Sequence, residues 1–167
     1  SSRGAEWSSL SSGIPSAING VAAVDNRSVW AVGIHGAILK TFDSGNTWAA
    51  QQADTLAGLN SISAIGSTVA WVVGDGGIIL KTADGGATWE IQDSGVTVDL
   101  QDVAAWGSGI VLAVGDGGTI LMTADGGATW DGQDSGTEED LFGVALAGQT
   151  IAWAVGGSGT IIAMARP

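Results

Sequence analysis

The octapeptide Thr82-Ala83-Asp84-Gly85-Gly86-Ala87-Thr88-Trp89 recurs unchanged at Thr123 to Trp130 and, varied, at Thr41 to Trp48, so all three copies read T-x-D-x-G-x-T-W. Their spacing is 41 residues. The same step carries Trp7 to Trp48, Trp89 and Trp130, carries Trp30 to Trp71, Leu112 and Trp153, and relates Gly33, Gly74, Gly115 and Gly156. What repeats is therefore a whole unit and not a copied turn. Between Val73 to Gly95 and Val114 to Gly136, 19 of 23 aligned positions match; the exceptions are Ile78/Thr119, Lys81/Met122, Glu90/Asp131 and Ile91/Gly132. Similarity of this degree fits recent amplification, or a designed or reconstructed sequence.

A period of roughly 40 to 45 residues marks the blades of a β-propeller. Four units of 41 residues make 164, so the last three of the 167 residues overlap the first three in register, and the units divide as 14–54, 55–95, 96–136 and 137–167 plus 1–13 in one domain. Unit two predicts four strands at Ile62 to Ile65, Val69 to Val73, Ile78 to Thr82 and Thr88 to Gln92, rich in β-branched residues and Trp and separated by Gly-rich turns. The other units follow in register, so the class is all-β, a propeller of four four-stranded blades. The chain enters late in one unit, at Gly4-Ala5-Glu6-Trp7, and leaves just before that point, at Met164 to Pro167. Ala5 to Ser8 is expected to close the last blade, either in its own chain or by exchange into a larger ring, since a ring has no long free sheet edge. Leu112 breaks the tryptophan series, so the interface around unit three should be smaller or differently filled, with Trp106 compensating.

Composition narrows the function. There is no Cys, hence no disulfide, thiol nucleophile or thiolate metal site. With 17 acidic against 5 basic residues, the formal charge of -12 argues against nucleic acid and anionic membrane as partners and favours a cationic one. No apolar run is long enough to insert in a membrane as a helix.

The motif T-x-D-x-G-x-T-W resembles the Asp box of bacterial neuraminidase repeats. The longer pattern A-W-x-V-G-x-x-G-x-I-L-x-T-x-D-G-G-x-T-W, at Ala70 to Trp89, resembles the propellers of the photosystem II assembly and stability factor family. The resemblance covers all four units. It implies a non-catalytic scaffold that holds a partner protein or peptide during assembly, in an extracytoplasmic compartment. It also implies a seven-bladed ring and an arginine-rich partner-binding patch, whereas this chain has four units and only Arg3, Arg27 and Arg166.

Within each box, Asp43, Asp84 and Asp125 are expected to accept backbone N–H bonds across their own turn, with Gly45, Gly86 and Gly127 at positive φ. Thr47, Thr88 and Thr129 then start the outer strand, and Trp48, Trp89 and Trp130 pack beneath it. In unit four the Asp position falls on Ser2 or Arg166, so the box is degraded there. A sialidase-like enzyme, the catalytic reading the box invites, requires a tyrosine nucleophile and clustered arginines; the chain has no Tyr. His35, the one histidine, sits in the turn Gly33-Ile34-His35-Gly36, where Asp75 and Asp116 stand in the next two units; an exposed loop histidine is expected. Calcium would suit the Asp- and Gly-rich turns, but no calcium-loop ligand spacing is present, and turn formation explains the aspartates; no metal or cofactor is expected. Loops between blades and turns between second and third strands should emerge on one face. That face collects His35, Asp54, Asp75, Asp99, Asp116, Glu138, Glu139 and Asp140, either as a docking surface for a basic segment or as a solvated charged rim. Two further readings stand beside it: a carbohydrate-binding lectin with sites between blades, and an engineered or ancestral-type fragment with no selected ligand. Two chains exchanging their Trp7 strands would form a homo-oligomer.

Overall fold

The computed structural model describes residues 6–165. Fifteen strands form four antiparallel sheets in simple up-and-down order. Blade 1 holds β1 (Ile18–Ala23), β2 (Val29–Gly33), β3 (Ala37–Thr41) and β4 (Ala49–Gln51); blade 2 holds β5 (Leu59–Ile65), β6 (Val69–Gly74), β7 (Ile79–Thr82) and β8 (Glu90–Gln92). Blade 3 holds β9 (Leu100–Trp106), β10 (Ile110–Gly115), β11 (Ile120–Thr123) and β12 (Asp131–Gln133). Blade 4 has, among the described residues, β13 (Leu141–Leu146), β14 (Ile151–Gly156) and β15 (Ile161–Ala165). The all-β, four-bladed reading is borne out, with the outer strands beginning later than expected.

One departure concerns closure. Residues Glu6 to Ser12 form no strand, Trp7 is 99% exposed, and the outer edge of β15 is unpaired among the described residues. Ala5 lies outside the described residues, as do Ser2 and Arg166 at the degraded box position. Inner strand β5 packs on β1, β9 on β5 and β13 on β9, but no such packing joins β13 back to β1, so the four blades form an open arc. The N-terminal segment lies beside blade 1, with Leu10 against Gly45, and so does not complete the last blade of its own chain, the first of the two expected modes of closure.

The second strand of each inner blade is apolar on both faces because both faces are covered. Trp30, Val32 and Ile38 of blade 1 pack against Leu59, Ile62, Ala70, Val72 and Leu80 of blade 2. The next interface repeats this with Trp71, Val73 and Ile79 against Leu100, Val103, Val111 and Leu121. The third is weaker, as expected from Leu112: its core is split into two small clusters, and a groove of about 280 Å³ opens beside Leu112, Val144 and Met164. Trp106 does not compensate. It is 46% exposed at the end of β9 and does not line the groove.

The Gly33, Gly74, Gly115 and Gly156 series has a steric cause. Here the loop entering the inner strand crosses the end of the second strand so closely that a Cβ on Gly74 would meet the Gly58 carbonyl, and one on Gly115 the Asp99 carbonyl. Only glycine permits that approach. Each inner strand also carries a bulge, which places Asn19, Asn60, Gln101 and Phe142 outside the ladder.

Candidate binding face and the Asp-box turns

The box is a closed hydrogen-bond circuit. In unit two the Thr82 hydroxyl, 1% exposed, donates to Asp84 Oδ1 at 2.9 Å and accepts the amides of Asp84 and Gly86 at 3.3 and 2.9 Å. Asp84 Oδ1 also accepts the Thr88 amide at 3.0 Å, and Oδ2 the Thr88 hydroxyl at 2.7 Å. Units one and three repeat the circuit through Thr41, Asp43 and Thr47 and through Thr123, Asp125 and Thr129. Gly45, Gly86 and Gly127 have φ of 85°, 88° and 96°. The turns of units two and three also lock their blade to the previous one. Trp89 Nε1 donates to Gln51 Oε1 at 3.2 Å and meets Trp30 edge to face, with ring centroids 5.6 Å apart; Trp130 Nε1 donates to Gln92 Oε1 at 3.1 Å.

These bonds favour the carboxylate form. The Thr47 amide holds Asp43 at about 2, the Thr88 hydroxyl holds Asp84 at about 2, and the Thr129 amide keeps Asp125 well below the ordinary carboxylate range. A carboxylate whose folded pKa lies below its unfolded value near 3.8 contributes stability that is complete above that value and is lost as pH falls through the folded one. Urea midpoints are therefore expected to hold steady from neutral pH to about pH 5 and to drop between about pH 4 and 2. The triple variant Asp43→Asn, Asp84→Asn, Asp125→Asn should flatten that drop; a wild-type midpoint unchanged down to pH 2 would refute the linkage.

Lys40 is a feature that sequence reading missed. Only 1% exposed, its Nζ donates to the carbonyls of Ser67 and Gly85 at 2.7 and 3.0 Å and stands 3.8 Å above the Trp30 ring. Desolvation lowers its pKa. The ammonium ties blade 1 to the box turn of blade 2, and it occupies the carbonyl whose counterpart, Gly126 O, accepts Trp71 Nε1 at 3.3 Å in the next unit. Trp30 Nε1 is accordingly buried with no hydrogen-bond partner among the described residues.

The loop face brings together most, but not all, of the expected acidic residues. The Gly76 amide donates to Asp99 Oδ1 at 2.7 Å and the Gly117 amide to Asp140 Oδ1 at 2.8 Å, each linking one blade's turn to the loop that leads into the next blade. Asp75 Oδ1 accepts Asn60 Nδ2 at 3.1 Å, and Asp116 Oδ1 accepts Gln101 Nε2 at 2.8 Å, so the bulged inner-strand residues orient the same row. Glu139 lies against Gly157, while Asp54 and Glu138 are exposed. His35 is exposed, but its register needs correction: Ile34, not His35, stands at the position of Asp75, and His35 matches Gly76, Gly117 and Ser158. All four share φ between 51° and 66°. It borders a groove of about 310 Å³ beside Pro15, Thr55 and Leu56.

Deeper in the arc, Asp102 is a second residue missed from sequence. Its Oδ1 accepts the Ser61 hydroxyl at 2.6 Å and its Oδ2 the Val144 amide at 2.9 Å, joining blades 2, 3 and 4 along their inner strands. Among the described residues no three His, Asp or Glu side chains converge so as to hold a metal ion, and no helix is long and apolar enough to cross a membrane.

The family model described as photosynthesis system II assembly factor YCF48 matches residues 1–133. The chain belongs to this family. Among solved structures, a YCF48 bound to a D1 peptide superposes with a TM-score of 0.67 at 25% identity, over 87% of this chain and 53% of that one. YCF48 from Cyanidioschyzon merolae gives 0.75 at 20% identity, over 89% and 50%. The computationally designed Ika4 protein shares the fold over 99% of this chain and 100% of its own, with a TM-score of 0.79 at 16% identity. No curated protein matches the chain in sequence. The chain spans about half the length of the YCF48 structures it matches.

Proposed function

We propose that the chain is a non-catalytic scaffold that holds a basic segment of a partner protein on its loop face, in the manner of a photosystem II assembly factor. The observation that carries this reading is the row Asp75, Asp99, Asp116 and Asp140, each carboxylate fixed by a neighbouring amide or amide side chain. Fixed carboxylates attract and orient a cationic segment without an ordering cost of their own. Family membership supports the reading, since a YCF48 has been solved with a D1 peptide. The groove beside His35, Pro15 and Leu56 on blade 1 offers a mixed polar and apolar seat for further contacts of such a segment.

Titration calorimetry with the D1 peptide, a Lys/Arg-rich peptide and an acidic control tests this. The basic peptide should bind at micromolar level and weaken about tenfold between low and moderate salt, because exposed charges are screened. The variant Asp99→Asn, Asp140→Asn keeps the acceptors for the Gly76 and Gly117 amides and should bind several-fold more weakly. No binding by either the D1 or the basic peptide, or binding indifferent to salt and to that variant, would overturn the proposal.

A further inference from the structure

The two end faces of the arc are built like the interfaces inside it. A shift of three units carries Trp30, Val32 and Ile38 of blade 1 onto Trp153, Val155 and Ile161 of blade 4. The first three are 0, 0 and 1% exposed where they meet blade 2; the second three are 43, 46 and 73% exposed. The opposing half behaves alike: Leu59 and Ile62, 0 and 5% exposed, correspond one unit back to Ile18 and Val21, at 40 and 68%. Both halves of one interface are thus present and uncovered. Scattered apolar residues at a surface need no explanation, but a register-matched set does.

The N-terminal segment points to what covers them. Leu10 sits against Gly45 where Gln51 sits against Gly86 and Gln92 against Gly127. The Ser12 hydroxyl donates to the Ile14 carbonyl at 3.1 Å, as Ser94 does to Val96 at 3.2 Å and Ser135 to Thr137 at 3.0 Å. Residues 10–14 therefore already follow the path that the end of an outer strand and the loop after it take beside the next blade. Among the described residues blade 4 has the three inner strands of such a blade and no fourth.

We infer that a second copy of this chain supplies the missing blade. Its blade 4 stacks on blade 1, with its Trp153 against Trp48 as Trp30 packs against Trp89, and residues 8–10 add to the free edge of its β15, Ser8 opposite Ala163 and Leu10 opposite Ile161. The contact joins unlike faces, and a two-fold repeat of it closes a ring of eight blades with no end left over. The inference is independent of what binds the loop face.

Light scattering on a sizing column, with the full chain at about 50 μM, should give twice the 16.5 kDa of one chain. Trp153→Asp on one face and Val21→Asp on the other should each return the mass to a single chain while leaving the far-UV spectrum unchanged. Val21 is exposed within one chain, so its variant decides the matter even if Trp153→Asp fails to fold. A single-chain mass for the wild type, a double mass untouched by Val21→Asp, or a ladder of growing masses would each overturn the inference.

Discussion

Replacing Trp71 by Ala is expected to destabilise the chain by about 3–5 kcal/mol, the range for removing a large aromatic side chain from a packed core. Trp71 is fully buried between blades 2 and 3, its indole N–H is bonded to the Gly126 carbonyl, and Lys81 stands 5.7 Å from its ring. The loss would empty the centre of one interface and free the box turn of the following blade. Because each blade touches only its neighbours, stability in such arrays is close to a sum of unit and interface terms. The expected result is a fall in the thermal midpoint of roughly 10 °C, larger than any change at Leu112, where the interface is already divided. Thermal unfolding followed by far-UV circular dichroism would check it; a shift within about 2 °C would mean that the Trp series fills space without holding the blades together.

Thr82→Val should cost about 2–3 kcal/mol despite conserving shape. Valine offers no acceptor to the Asp84 and Gly86 amides and no donor to Asp84 Oδ1, and the site is closed to water. Buried donors left unpaired lose their full hydration energy, which is why a change of one oxygen to one methyl has this weight. Thr82→Ser keeps the hydroxyl and should recover most of the loss. Equilibrium urea unfolding of the two variants side by side decides it: equal midpoints would show that the hydroxyl circuit is decorative.

The repeat, the class and the strands were legible because they rest on local chemistry, turn glycines and alternating β-branched residues within a unit. The box circuit was legible for the same reason, since every partner of Asp84 lies within four residues. What was not legible depends on contacts between units. Lys40 reads as an ordinary strand lysine until Ser67 and Gly85, from the next blade, close over it. Asp102 reads as an exposed inner-strand residue until Ser61 and Val144 approach from either side. The closure of the last blade stayed open for a related reason: register says which strand the N-terminal segment supplies, but not which chain holds the three strands it joins. His35 was misplaced by one residue because its turn lacks the Asp that anchors the alignment in units two and three.

The self-contained box has a consequence for how such chains change in length. All its own bonds fall inside one unit, while its outward contacts always run from one blade to the next, as in Gln51 with Trp89 and Gln92 with Trp130. A tandem duplication or deletion in frame with the 41-residue period would therefore leave every turn intact and recreate the same junctions. Selection on such a chain would act on whole copies and on whether their number meets end to end, which turns blade count into a heritable trait separable from the point substitutions that tune each blade.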